Sequence, residues 1–216
     1  MTCNAVINNR PSPQCMTDLK RTAKRAIDLL GGGLALVLVL PLLVAAALAV
    51  KLYDGGPVLY RRRCVGQRGE FDAFKIRSMR MDADRYLEEH PELMQQFEKN
   101  YKLHADPRIT PVGEFLRKTS IDELPQLINV LRGEMSLVGP RMITRPELSK
   151  YGSHAAALLT VKPGMTGYWQ VAGRQEVRYA SRVEMDMYYI RNWSLTLDLA
   201  ILLRTPLKVL KREGAH

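Results

Sequence analysis

Leu29-Leu30-Gly31-Gly32-Gly33-Leu34-Ala35-Leu36-Val37-Leu38-Val39-Leu40-Pro41-Leu42-Leu43-Val44-Ala45-Ala46-Ala47-Leu48-Ala49-Val50 carries no charged side chain. An apolar run of roughly 22 residues is long enough, as a helix, to fill the ~30 Å hydrocarbon core of a bilayer. Lys20, Arg21, Lys24 and Arg25 precede it, Lys51 follows it, and Arg61, Arg62 and Arg63 lie shortly beyond. A segment that crosses a membrane keeps its basic flank on the cytoplasmic side, so basic residues at both ends place both ends on that side. Pro41 removes a backbone donor and predicts a kink near Leu40-Pro41. The combined reading is a re-entrant helix over residues 19–53 that enters and leaves by one face, its freed backbone groups satisfied internally or by interfacial water. A straight single-pass helix remains open, as does a buried soluble helix. A cleaved signal peptide, suggested by Ala45, Ala47 and Ala49, fits less well because the run is long and begins late.

Outward from this run the composition is that of a folded protein. The length of 216 residues suits one domain or one domain plus an anchor, and a content of 46% hydrophobic and 25% charged residues excludes a disordered chain. The net charge of +10 predicts a polyanionic partner: nucleic acid, lipid headgroup or phosphorylated substrate. Cys3, Cys15 and Cys64 are few, odd in number and irregularly spaced, giving neither a disulfide framework nor a zinc site and pointing to a reducing compartment. His90, His104, His154 and His216 are dispersed and read as surface or packing residues.

Residues 1–18 read as a flexible polar tail and 54–212 as the body of the protein. Val58–Arg63 and Phe71–Arg77 are predicted as extended, bounded by Asp54-Gly55-Gly56-Pro57 and Gly66-Gln67-Arg68-Gly69. Asp82–Leu103 reads as a charged helix with a possible break at His90-Pro91. Gly113–Lys118 reads as a helix end, and Asp122–Arg132 as a helix capped by Gly133. Pro146–Leu159 is predicted helical, Met165–Val171 extended and Arg178–Arg191 helical. Leu195–Leu210 is apolar and suits either an amphipathic helix in the headgroup layer or the core. The fold class is therefore α/β, mainly helical, with short strands.

The stretch with the most chemistry is Arg117-Lys118-Thr119-Ser120-Ile121-Asp122-Glu123-Leu124-Pro125-Gln126. Two adjacent carboxylates stand where Pro125 marks the start of a helix, near free backbone N–H groups. Ser120-x-x-Glu123 also matches a capping box, so a purely stabilising role stays open. Nearby cations favour chemistry: Arg117 precedes the pair, and Arg141 sits in the turn Gly139-Pro140-Arg141. Guanidinium groups match phosphate oxygens in pairs. A carboxylate pair with arginines and a divalent metal makes a workable phosphoryl-transfer site. There is neither a Walker lysine loop nor a dinucleotide-binding glycine fingerprint.

These blocks resemble the bacterial sugar transferases, the monotopic phosphoglycosyl transferases. The resemblance runs from Lys75-Ile76-Arg77-Ser78-Met79 through Leu116–Gln126, Asn129–Ser136 and Val138–Arg141. It continues in Lys162–Gly167, Trp169-Gln170, Gly173-Arg174, Asp186–Tyr189, Asn192-Trp193-Ser194 and Asp198, so it covers roughly residues 20–210. It implies an enzyme of the inner (plasma) membrane, on the cytoplasmic face, anchored by a re-entrant helix broken at Pro41. By resemblance, Asp122 is the nucleophile that displaces UMP from a UDP-sugar, forming a phosphosugar-aspartate. Undecaprenyl phosphate then takes the sugar phosphate, in the first membrane step of exopolysaccharide, capsule, O-antigen or glycoprotein glycan assembly. Glu123 matches the position associated with Mg2+, and Arg117, Arg141 and Lys75 match basic positions around the phosphate. Met142 stands where the family commonly has proline. The long Asp82–Tyr101 segment resembles the larger hexose-1-phosphate transferases and hints at UDP-glucose or UDP-galactose. The competing expectation is a membrane-anchored basic protein that binds nucleic acid or anionic lipid without catalysis. Against it, the chain has no recognised nucleic-acid module.

Overall fold

The computed structural model describes residues 18–101, 103, 105–172 and 178–210. The tail expected over residues 1–18 falls, except for Asp18, outside these, as do Gly173 and Arg174, His104 and His216, and Cys3 and Cys15. The described chain is mainly helical with four short strands. A helix α1 spans Asp18–Asp54, and its most apolar 18-residue window has a mean hydropathy of 2.8 with 11% of it buried. The apolar run was expected to bend at Pro41. The helical assignment runs on through Pro41, so α1 is one 37-residue element. One missing N–H deletes a single rung, and the neighbouring turns hold the helix together.

After α1 the chain forms an antiparallel hairpin, β1 (Leu59–Gly66) and β2 (Gly69–Ile76), in the register Leu59 with Ile76 and Gly66 with Gly69. Both glycine-bounded turns fall where the sequence placed them. The charged segment does break at His90-Pro91, giving α2 (Ala83–Glu88) and α3 (Pro91–Asn100) with proline at the start of α3. Helix α4 (Pro111–Lys118) is capped by Thr110, whose hydroxyl accepts from Gly113 N at 2.9 Å. A 3-10 helix, Ile121–Gln126, leads into α5 (Leu127–Arg132), which stops at Gly133 in a left-handed conformation (φ 79°).

The second half contains β3 (Ser136–Val138), a 3-10 segment Pro146–His154 interrupted at Gly152, α6 (Ala155–Leu158) and β4 (Gly164–Thr166). It ends with α7 (Tyr168–Ala172), α8 (Tyr179–Arg191) and α9 (Leu195–Leu210). Strands β3 and β4 pair in parallel, Ser136 with Gly164 and Val138 with Thr166. Two expectations need correction here. Met165–Val171 is extended only as far as Thr166; from Tyr168 it is helical, because α7 packs between α8 and α9. The helix expected over Pro146–Leu159 is interrupted at Gly152.

Three buried clusters hold the body together, and the third includes α1. Ala46 and Val50 of α1 pack with Ile76, Leu116 and Ile121, with Leu43 alongside. Towards its other end α1 is fixed by polar contacts. Lys24 Nζ donates to Asp198 Oδ2 at 2.6 Å and to Val138 O at 3.0 Å. Arg25 caps the end of α5 through Val130 O (2.7 Å) and Leu131 O (2.8 Å). Buried Asp28 accepts from Ser136 Oγ and Leu137 N, both at 2.9 Å. Gly31 and Gly32 let α1 cross this surface closely: a Cβ on Gly31 would meet Leu137 at 3.0 Å, and one on Gly32 would meet Val130 at 3.3 Å. The C-terminal end of α1 is tied down by Asp54, which accepts two bonds from the Arg77 guanidinium and is held down to about 2, first by that pairing. The same guanidinium donates to Pro57 O at 2.6 Å, so Arg77 is a structural clasp between anchor and hairpin.

Candidate active site

The acid pair lies on the 3-10 helix that follows α4. Ser120 adopts a left-handed conformation (φ 56°) and makes no side-chain cap bond. The capping box suggested by Ser120 and Glu123 therefore does not form. Pro125 lies inside the 3-10 helix rather than opening an α-helix. Ile121 points into the cluster shared with Ala46 and Val50, which sets the acid pair directly beside the anchor helix.

Asp122 is 6% exposed, and its pKa is pushed up to about 6, first by burial and then by the charge of Glu123, against the pull of Lys75 and Arg117. Glu123 moves the opposite way. Lys75 Nζ donates to Glu123 Oε1 at 2.5 Å, and this cation, with help from Arg141 and Arg62, holds Glu123 below the usual carboxylate range. Two neighbouring carboxylates with pKa values driven apart have different tasks available to them: one held in its charged form by Lys75, the other charged only above mildly acidic pH.

Each cation is placed by a specific contact. Lys75 lies on β2, and Asn129 of α5 staples that strand in position. Its Oδ1 accepts from Phe74 N (3.0 Å), and its Nδ2 donates to Asp72 O (2.8 Å) and Glu134 Oε2 (2.7 Å). Asn129 is fully buried, so Asn129→Ala leaves several polar groups unpaired and is expected to cost about 3 kcal/mol. A denaturant melt checks this, and a cost under about 1 kcal/mol contradicts the staple. Arg117 Nε donates to Ser78 Oγ at 2.8 Å; burial pushes its pKa down, and Asp122 and Asp106 oppose that. Arg141 enters through a tight turn. Gly139 N donates to Thr166 O (3.0 Å), Gly164 N to Pro140 O (2.9 Å), and the Asp186 carboxylate accepts from Arg141 N (3.3 Å). Met142, where the family commonly has proline, fills the cluster around Cys64, Phe71 and Met135.

The five residues singled out in the sequence thus converge. Lys75 touches Glu123, Arg117 and Asp122 sense each other's charge, and Arg141 reaches Glu123 by charge rather than by contact. Arg62 joins them at Glu123 and also lies 3.5 Å from Glu147. It was missed because Arg61-Arg62-Arg63 reads as a single basic flank; only strand alternation distinguishes the middle one, and the pairing is not local. No group of three metal-ligating side chains occurs among the described residues. Magnesium takes one or two carboxylates and completes its shell with substrate phosphates and water. Glu123, ionised and with a side chain 38% exposed, meets that requirement.

The site is an acid pair with pKa values driven apart, with lysine and arginine around it, at the flank of a long apolar helix. The family described as Bacterial sugar transferase matches residues 19–212, and the chain belongs to that family. It is 46% identical over 201 residues to a Salmonella typhimurium protein named undecaprenyl-phosphate galactose phosphotransferase, covering 91% of this chain and 42% of the relative. It is 44% identical to the exopolysaccharide production protein ExoY of Rhizobium meliloti, covering 90% and 88%. It is 39% identical to a UDP-glucose:undecaprenyl-phosphate glucose-1-phosphate transferase of Escherichia coli, covering 93% and 43%. The chain thus spans about two-fifths of the Salmonella and Escherichia relatives and most of ExoY.

Proposed function

We propose that this chain transfers a hexose-1-phosphate from a UDP-sugar to undecaprenyl phosphate at the inner face of the plasma membrane. The observation that carries this reading is Asp122: a buried carboxylate set among cations, on a turn packed against the apolar helix. In the first step an Asp122 oxygen attacks the phosphorus bearing the sugar, and the bond to UMP breaks with its electron pair leaving on UMP. In the second step an oxygen of the lipid phosphate attacks the same phosphorus and releases the Asp122 carboxylate. Lys75, Arg117 and Arg141 offset the charge that gathers on the phosphate oxygens in both steps. Glu123 would hold Mg2+, which when bound supplies further charge compensation. The names of the relatives favour galactose and glucose as the sugars. UMP release by purified protein in detergent, measured with UDP-galactose and UDP-glucose plus undecaprenyl phosphate, tests the reaction. Release with neither sugar overturns it, and full release in excess chelator contradicts the magnesium assignment.

The raised pKa of Asp122 sets a pH dependence. The attacking form is the carboxylate, which is lost as pH falls through about 6. The rate of adduct formation is therefore expected to fall about tenfold per unit below that midpoint. A flat profile down to pH 4.5 contradicts it.

Re-entry of the anchor is supported by its contacts. Gly32 lies against Val130 and Leu43 against the third cluster, so at most ten residues separate two attachments to the same body. Ten helical residues span about 15 Å, half a hydrocarbon core. Leu34, Val37, Leu38 and Leu40, exposed between them, are the part offered to lipid. Leu199, Leu203 and Leu207, exposed at four-residue spacing, give α9 an apolar stripe of its own to offer to lipid. In this reading residues 19–53 are the anchor and 54–212 the cytoplasmic domain. Single cysteines at Asp18 and at the half-exposed Tyr53, probed in intact cells with an impermeant thiol reagent, are both expected to stay unlabelled until the cells are opened. Labelling of Asp18→Cys alone in intact cells means a single-pass helix.

A further inference from the structure

Five buried side-chain polar atoms lack a hydrogen-bond partner among the described residues, and four of them stand together: Arg141 Nε, Trp169 Nε1, Tyr179 Oη and Arg182 Nε. The Arg141 and Arg182 guanidinium carbons lie 5.3 and 4.8 Å from the Trp169 ring centroid, and Arg182 is also 5.3 Å from the Tyr179 ring. Burying a donor without an acceptor costs about 1–3 kcal/mol, more for a charged group. Three of these four groups can only donate, and the tyrosine hydroxyl can. Asp186, which lies close to both arginines, already accepts from Tyr151 Oη at 2.7 Å and from Arg141 N. Burial and the facing Arg141 charge push the Arg182 pKa down. Donors without acceptors, and two arginines facing the single Asp186 carboxylate, call for one kind of ligand, an anion rich in acceptor oxygens. Stacking on Trp169 offsets part of the charge but accepts none of these N–H groups.

We propose that Arg182, Trp169 and Tyr179 join Arg141 in a pocket for a phosphate monoester, occupied first by the departing nucleoside monophosphate and then by the phosphate of the entering lipid. This assignment rests on the two-step transfer proposed above. In each step the attacking and leaving oxygens lie in line through the transferred phosphorus. Asp122 is on one side both times: it enters opposite the departing nucleotide and leaves opposite the arriving lipid phosphate. The two monoesters therefore use the same place in turn. Arg141 links that place to the acid pair, since its charge also acts on Glu123. Arg182 touches the monoester rather than the transferred group.

Binding without turnover separates this inference from the reaction itself. Equilibrium dissociation constants are measured by calorimetry on the full chain in detergent, with no sugar donor present. The probes are UMP, a short-chain polyprenyl phosphate, inorganic phosphate and uridine. UMP and the polyprenyl phosphate are expected to compete, and Arg182→Gln to weaken both by about tenfold or more, as loss of a charged hydrogen bond does. Tyr179→Phe is the gentler variant, expected to weaken both about threefold to tenfold with an unchanged melting temperature. Inorganic phosphate is expected to displace either probe and uridine to displace neither. Simultaneous binding of UMP and the lipid phosphate overturns the shared pocket. So does wild-type affinity in both variants, or weakening of only one of the two monoesters. If Asp122→Asn still transferred sugar phosphate, the covalent reading would fall while these binding results stood.

Discussion

Asp122→Asn is expected to cut sugar-phosphate transfer on the order of 10^4-fold or more, as removal of an attacking group does in other covalent enzymes, and at the same time to make the protein more stable. Asn is nearly isosteric, keeps the polar contacts of the turn and cannot attack phosphorus. The gain in stability follows from the sign of the pKa shift. The folded protein raises Asp122 from 3.8 to about 6, so it binds this proton more tightly than the unfolded chain does. Stability from this group is fully present below the unfolded pKa and is lost as pH rises through about 6. At pH 7 the buried charge is a cost of up to about 3 kcal/mol that Asn removes. Thermal melts at pH 7 and pH 4.5 read this directly. The variant melts higher at pH 7, and the difference shrinks at pH 4.5. A variant less stable than the parent at pH 7 means that Asp122 is a stabilising cap and not a strained, poised carboxylate.

A large loss of stability is expected from Gly164→Ala. A Cβ at this position would lie 2.1 Å from Gly139 N, 2.4 Å from Thr166 O and 2.6 Å from Gly139 Cα, all backbone atoms that no rotamer change can move aside. The β3–β4 pair must separate, and the bond from Gly164 N to Pro140 O that braces the Arg141 turn is strained with it. A loss of about 3 kcal/mol or more follows, together with at least about a tenfold loss of transfer where the protein still folds, because Arg141 no longer faces the acid pair. Gly33→Ala is the internal control. A Cβ there meets nothing within 4 Å inside a helix, so it should be neutral or stabilising by up to about 1 kcal/mol. Equal losses in the two variants contradict the account of the turn.

The contrast between these glycines marks what a single sequence can and cannot reveal. Local signals were legible. The uncharged run from Leu29 to Val50 marked the long apolar helix, Gly66 and Gly69 bounded the hairpin, Pro91 split the charged segment, and Gly133 ended α5. The helix at Tyr168–Ala172 was not, because Tyr, Trp and Val favour extended backbone and only packing between α8 and α9 overrides them. Glu123 was half legible. Its position three residues after Ser120 suggested a cap, but Lys75, on a strand 48 positions away, claims the carboxylate. Asp28 was passed over as the last residue before the apolar run. Its partners, Ser136 and Leu137, lie more than 100 positions along the chain. The candidate site was readable wherever its residues sit in one short motif. Where it is assembled by contacts between distant elements, as at Arg62 and Arg182, no local pattern marks it.

The central claim is that Asp122 carries the sugar phosphate between donor and lipid. Mass spectrometry of the intact protein, incubated with UDP-galactose or UDP-glucose and no acceptor, followed by peptide mapping, tests it most directly. A mass increase of one hexose phosphate is expected, mapped to Asp122 and discharged on adding undecaprenyl phosphate. An adduct on any other residue, or brisk transfer by a protein that never acquires one, contradicts it.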